Sequence, residues 1–529
     1  MSLTLKTPGV YIQEKSAFPN SVAGVETAIP AFVGYTEKAK FKGQSLLNKP
    51  VRVDSFKEFE QFFGIGCHTT YGLAEVDPTK EGAPTPDVHL ENKSYELKVD
   101  AGTRFNLYES MKFFYQNGGG SCFIVAVGTY GDGVITPDFS STPFEGGIKK
   151  LEKESEPTML VIPDAVLLED TVCYPLQQQM LMHCGVQQNR VAILDVFNGN
   201  KGLEDPTYNP VDNFRNSVSS DFLSYGAAYY PYLNTSVIQQ TELNFRNLNS
   251  DGIGVLQGVC NDFIKNLKES QQAALKPFVD GMGAAAPAGD SGEEADGKEG
   301  KAADGAATAP DDHTINSVLS IAIPEYKTVM EAILKKKNLM PPSAAMAGVY
   351  SLVDSQIGVW KAPANVAMSS VISPSVLIDH NQQEDLNAPI LGKAICAIRP
   401  FVGLGTMVWG ARTLDANSLD WRYMNVRRTM IMLEQSIKFA SKAYVFEPNV
   451  KNTWVSIDAM ISNFLTNVWK QGALAGAAPA DAFSVSVGLG STMTAVDILE
   501  GIMRIEVKVA ISRPAEFIVI TFEQQMQKS

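Results

Sequence analysis

No stretch of this 529-residue chain approaches the ~20 apolar residues of a membrane span, and Met1 to Lys6 lacks the apolar core of a secretory leader. Basic runs are short as well. The longest is Lys335-Lys336-Lys337, set against a net charge of −14, which argues against nucleic acid as a direct partner because phosphate binding needs a basic face. Histidine is scarce: His68, His183, His313 and His380 stand alone or beside a single cysteine, without the ligand spacings of zinc sites. Cysteines are few and scattered, mostly among apolar residues as at Ser121-Cys122-Phe123, a pattern of free thiols and not of a disulfide framework. These absences predict a protein made in the cytoplasm, with neither metal nor cofactor.

What is present is a chain long enough for about two to four domains, with 45% hydrophobic residues to fill their cores. Ala31 to Tyr35 reads as a strand. Ser55 to Gly64 reads as a short helix, with Ser55 as N-cap, Glu58 completing a capping box and Gly64 as the stop. A helix over Leu107–Tyr115 ends at Asn117-Gly118-Gly119-Gly120, and the strand Cys122–Val127 follows. From Thr158 strands and helices alternate: Met159–Ile162, a helix near Tyr174–Cys184, Val191–Asp195, then Tyr225–Tyr230. That alternation indicates an α/β layer with parallel pairing.

The C-terminal third is patterned differently. Val426, Met430, Leu433, Ile437 and Ala440 line one face of a helix over about residues 425–444, with Glu434 and Lys438 paired on the other. Thr453 is expected to cap a second helix with Ile457, Ile461, Phe464 and Val468 inward. Thr494 and Asp497 cap a shorter one, and Arg504 to Ser512 alternates as a half-buried strand. Residues 283–312 carry eight acids against two lysines and no aromatic residue, so they are expected to form a disordered acidic loop.

Both ends carry strand signals. Phe517 to Phe522 is apolar on both faces, and Pro8 to Ile12 is a second short strand set off by polar sequence. Such edges pair with another chain unless something covers them. Val10, Tyr11, Ile12, Phe517, Ile518, Val519, Ile520 and Phe522 are therefore the candidates for strand exchange between subunits.

Signs of chemistry are sparse. Gly118-Gly119-Gly120 follows a helix and precedes a strand, the reverse of a phosphate loop, and Gly488-Leu489-Gly490-Ser491-Thr492 lacks the lysine. Asp164 and Asp195 end apolar strands, where α/β enzymes place functional carboxylates. They are the best catalytic candidates, although capping of the next turn or helix is the favoured reading. No catalytic residue is assigned.

Longer motifs carry a different message. Thr7-Pro8-Gly9-Val10-Tyr11-Ile12-Gln13-Glu14, with Thr27 and Ala31-Phe32-Val33-Gly34, resembles the sheath proteins of contractile phage tails and related contractile injection systems. The likeness continues at Pro341-Pro342-Ser343, Ala347-Gly348-Val349-Tyr350 and Gly358-Val359-Trp360-Lys361-Ala362-Pro363-Ala364-Asn365. It is densest in Val408 to Leu414, Asp420-Trp421-Arg422-Tyr423, Val426-Arg427-Arg428, Val445 to Asn449 and the closing Arg513-Pro514-Ala515-Glu516-Phe517. Gln356-Ile357 departs from the arginine found before that glycine in many relatives.

The resemblance implies a structural protein, not an enzyme: six copies per ring, rings stacked helically around an inner tube protein, with baseplate and terminal cap proteins as further partners. It implies no direct contact with nucleic acid or membrane, and release from the cell as part of a particle is open. It also implies a mixed α/β and α+β multidomain fold. Residues 1–35 would be an arm and first strand joining a conserved inner α+β domain, 345–529, and 36–344 an outer α/β insertion domain. Contacts to the tube would be few and charged, with Lys438, Lys442 and Lys470 as candidates. The competing reading is an α/β hydrolase or transferase using Asp164 or Asp195, with the rest an oligomerisation platform; a static tube is a third. Particle size separates the enzyme, and two particle lengths separate contraction from a static tube.

Overall fold

In the computed structural model, which describes residues 22–80, 84–90, 93–131, 140–205, 208–283, 310–390 and 392–520, strand β1 (Pro30–Thr36) is buried along its whole length. It is joined by β2 (Pro50–Val53), β3 (Cys122–Thr129), β4 (Met159–Val161), β5 (Val191–Asp195), β6 (Gly226–Tyr230), β7 (Val366–Ala367), β8 (Ile395–Phe401) and β9 (Gly405–Val408). Their order across the sheet is β7-β9-β8-β6-β5-β4-β1-β3-β2. The strands from β8 to β3 run parallel, while β2, β9 and β7 add antiparallel edges. Parallel strands are stable when both faces are covered.

Helices cover both. Five matter here: α1 (Phe56–Phe63), α2 (Leu107–Gln116), α3 (Thr142–Lys150), α4 (Asp170–Gln187) and α5 (Ser343–Gln356). Because side chains alternate along a strand, Phe32 enters a core with Phe63, Phe114 and Tyr350 of α1, α2 and α5. Its neighbours Ala31 and Val33 enter the opposite core with Phe144 of α3 and Leu176 and Leu181 of α4. Local signals behave as the sequence suggests. Ser55 Oγ accepts the Glu58 amide at 3.2 Å, and Gly64 closes α1 at φ +83°, donating to Glu60 O at 2.9 Å. The Glu58 carboxylate takes the Asp54 amide (2.8 Å), one residue upstream of the expected partner.

A second core sits under the antiparallel sheet Tyr71–Val76, Val88–Leu90 and Lys93–Val99, with helices Ser250–Lys265, Glu269–Gly281, Asp312–Ala322 and Pro324–Lys337. A third belongs to α6 (Met424–Ser441), α7 (Lys451–Lys470) and the hairpin β10 (Phe483–Val487) and β11 (Ile505–Val509). Ile457, Ile461, Phe464 and Val468 point into it, and Val22 and Val25 pack on it from the other end of the chain. Thr453 is not the cap of α7. Val450 holds that place, and the Thr453 hydroxyl donates to Pro448 O at 2.7 Å. Nor does an ion pair join Glu434 to Lys438 among the described residues; the cation acting on Glu434 is Arg427.

The fold is mixed α/β and multidomain, but the boundary expected at 344/345 falls inside the nine-stranded sheet. β6 precedes it and β8 follows it, with Ala228, Tyr229 and Tyr230 in register with Ile395, Cys396 and Ala397. A parallel neighbour needs a crossover, and here the crossover is long enough to carry most of the second core. The α/β layer thus draws strands from both sides of that boundary. Residues 284–309, the bulk of the expected acidic loop, lie outside the described residues.

Candidate assembly surfaces

The chain's final segment is anchored before it is released. Arg412, just past β9, donates to Glu516 through Nε (Oε1, 3.1 Å) and Nη2 (Oε2, 2.5 Å), and through Nη1 to Asn387 O at 3.0 Å. Asn387 Nδ2 (2.7 Å) and Tyr423 Oη (3.0 Å) also donate to the same carboxylate. Burial alone would raise the Glu516 pKa, but these donors outweigh it and hold the group below its ordinary value. Beyond this clamp Phe517, Ile518, Val519 and Ile520 are 70 to 89% exposed and form no strand. Four consecutive apolar side chains in water are costly unless a partner covers them.

The other end has a matching anchor. Arg428 on α6 and Asp354 on α5 form a two-pronged ion pair at 2.6 and 3.0 Å, each side chain only 3% exposed. Thr27 is bound into it twice: its hydroxyl donates to Asp354 Oδ2 at 2.6 Å, and its carbonyl accepts from Arg428 at 2.9 Å. Arg428 also lies 4.7 Å over the Tyr350 ring, and the Val25 amide donates to Ser436 Oγ at 3.1 Å. Residues 22–28 are thereby tied to α5 and α6. Val10, Tyr11 and Ile12 lie outside the described residues, as does Phe522.

Between these anchors the third core presents an incomplete sheet. β10 and β11 pair antiparallel, Phe483 opposite Val509 and Val487 opposite Ile505. Val485 and Val507 face the core, while Ser484, Glu506 and Lys508 face solvent. Among the described residues no strand pairs with the outer edge of either one. Edges of this kind accept a further strand through main-chain hydrogen bonds.

The two carboxylates considered for catalysis have structural partners. Asp164 accepts the amides of Asn106 (2.6 Å) and Tyr35 (3.3 Å), tying the start of α2 to β1. Asp195 accepts the amide (2.7 Å) and hydroxyl (2.5 Å) of Ser343, the first residue of α5. Burial raises their pKa values to about 6 and about 7, against the pull of those donors. Both carboxylates are buried and hold the ends of elements in place. His183 is pushed down to about 4 by burial and by Arg190. Among the described residues no group of three or more His, Cys, Asp or Glu side chains is placed to hold a metal. Lys438, Lys442 and Lys470 are all exposed, Lys442 lying 4.7 Å over the Phe439 ring near the end of α6, and Lys470 closing α7.

Sequence reasoning singled out the apolar ends but missed the anchors beside them. Arg412, Arg428, Glu516 and Thr27 all stood within its motifs, and only their pairing partners were hidden.

Comparison with known proteins points the same way. The family described as the phage tail sheath C-terminal domain matches residues 416–525. The tail sheath protein of Burkholderia phage BcepMu is 26% identical over 170 residues, 31% of this chain and 35% of that protein. The chain thus spans about a third of the length of the curated relatives it matches. Among solved structures, the contracted sheath complex of the extracellular contractile injection system PVC is 25% identical, with 99% of each chain covered and a TM-score of 0.56. The six-fold symmetrised baseplate of the anti-feeding prophage (AFP) is also 25% identical, covering 99% of this chain and 100% of that one at a TM-score of 0.57.

Proposed function

The chain belongs to the tail sheath family of phage tails and contractile injection systems, and on that premise we propose that it is the structural subunit of a contractile sheath. Six copies form a ring around an inner tube, rings stack helically, and contraction drives the tube through a target envelope. The inner part of each copy combines the third core with both terminal arms. Baseplate and cap proteins complete the particle, which assembles in the cytoplasm and acts outside the cell.

One observation carries this reading. Among the described residues an apolar segment, Phe517–Ile520, leaves the Arg412–Glu516 clamp unpaired, and β10–β11 offers two open edges. Among the described residues of a single copy neither is satisfied; in an array each can complete the other. Strand addition uses main-chain hydrogen bonds, each worth about 0.5–1.5 kcal/mol net. These bonds do not depend on how the two bodies are oriented, so a linked array keeps its joints while rigid bodies exchange contacts. Head-to-tail joints of this kind do not close on themselves and propagate as helices.

The test is electron microscopy of the protein expressed with its tube partner. Helical tubes of two lengths and widths are expected. Tubes of a single length would mean a static shell, and only small discrete oligomers would remove the proposal.

A further inference from the structure

Two surfaces at opposite ends of the central sheet are short of charge in a chain that is otherwise acidic. On α4 and just beyond it, from Thr171 to Asn189, there is no Asp, Glu, Lys or Arg. Met182 and Val186 nonetheless stand exposed there. They form one wall of an open groove of about 480 Å³ whose other wall is α3 and the turn that follows it, with Glu145, Lys149 and Glu152. The second surface is the β8–β9 hairpin tip. Pro400 to Ala411 is uncharged, and Val402 and Leu404 project from the tip into solvent. The knob is stiffened at its base by Phe401 and Trp409, whose rings lie 4.3 Å apart, and Arg399 lies 5.9 Å from the Phe401 ring.

Topology fixes where these surfaces lie. β4 and β5 are parallel, so the connecting α4 runs back against them, and its last turn lies where β5 begins. β8 is parallel to β6 and hence to β5, and its tip lies where the strands finish. Groove and knob therefore face opposite ways along the strand axis. They cannot meet within one copy.

We infer that the α3–α4 groove receives the Val402–Leu404 knob of a second copy, as a head-to-tail contact that supplements strand exchange. The inference rests on the sheath reading, because it needs an array. Copies carrying −14 each repel one another, so the uncharged α4 wall and the uncharged knob are where two copies approach at least cost, and interface cores are depleted of charge. The rims are complementary: two acids against one lysine beside the groove, one arginine beside the knob. A knob and groove at opposite ends make a heterologous contact, the kind that extends without closing.

The test uses the full chain with Met182→Cys and Val402→Cys in a Cys67→Ser background, since Cys67 is the one native thiol among the described residues that is not buried. Oxidation of assembled tubes, before and after contraction, should give a ladder of covalent multimers on a non-reducing gel, and neither single variant should. Val402→Glu should raise the critical concentration for tube formation at least tenfold. Tubes that form normally while the double variant stays monomeric in both states would overturn the inference and leave the sheath reading standing. Multimers from Val402→Cys alone would mean knob against knob, which also overturns it. If the parent chain forms no tubes, the sheath reading falls and takes this contact with it.

Discussion

Arg412 and Glu516, 104 residues apart in sequence, meet in a forked ion pair from which the last apolar segment departs. Arg428 and Asp354 form a similar pair towards the chain's other end, gripping Thr27 between β1 and the Val22 and Val25 side chains that pack on the third core. In each case a planar guanidinium matches a carboxylate with two parallel donors, a geometry that fixes direction as well as distance.

Removing one partner from a buried pair leaves the other charge stranded, at a cost of about 3–5 kcal/mol. Arg428→Ala is therefore expected to lower the urea midpoint of unfolding clearly. Glu516→Gln, at a site a fifth exposed, should cost less but free the tail, so that proteases cut near residues 513–520 faster than in the parent. An unchanged cutting rate would remove the clamp's assigned role.

Asp164 and Asp195 give a pH signature. Their folded pKa values, about 6 and about 7, lie above the ordinary 3.8, so the folded chain binds these protons more tightly than the unfolded one. Their contribution favours folding below about pH 4 and is lost as pH rises through 6 and 7. Asp195→Asn should flatten that fall, measured as urea midpoints between about pH 5 and pH 8. Identical slopes in parent and variant would contradict it.

The sequence was legible where the signal was local. β1, α1, the β4–α4–β5 unit and the inward face of α7 all follow from periodicity and caps, because neighbours in sequence decide them. The domain boundary was not, because β6 and β8 pair across a crossover that fills a second core. The arginine–carboxylate anchors escaped for a similar reason: Thr27, Asp354 and Arg428 meet only in three dimensions. Exposure of Phe517 to Ile520 fits the reading of an unsatisfied edge, while Val10 to Ile12 fall outside the described residues.

Strand exchange predicts two separable lesions. Val519→Pro removes a ladder donor, and deletion of residues 1–15 removes the other arm. Both chains should stay soluble, with the unfolding midpoint of the parent, yet form no long tubes by electron microscopy. Full-length contractile tubes from both would defeat the mechanism.

A β-carbon built on Gly281 would lie 3.9 Å from Pro310 Cγ, so the described residues that flank 284–309 are neighbours. Closing a short loop between near ends costs little. Replacing 284–309 with a brief Gly-Ser linker should leave both stability and tube formation intact, checked by thermal melts and sedimentation. Failure to assemble would make the segment a contact element.

Lys438→Glu, Lys442→Glu and Lys470→Glu test the tube side. Exposed charges set association rate and salt dependence more than stability. The triple variant is expected to keep its unfolding midpoint and still polymerise, while binding less of the inner tube in co-sedimentation at low salt. Equal tube binding would show that these lysines merely face solvent.

Among the described residues the β10–β11 hairpin has two unpaired edges, and on the strand-exchange reading each copy supplies two terminal strands. Supply and demand for strands are then equal, one arm for each edge. Every interior copy of an array is saturated, and no adhesive edge is left to recruit stray chains. Only the first and last rings hold unfilled edges or unplaced arms. Length control thus becomes a question of what terminates those rings, and a sheath without end-binding proteins would keep growing or join end to end.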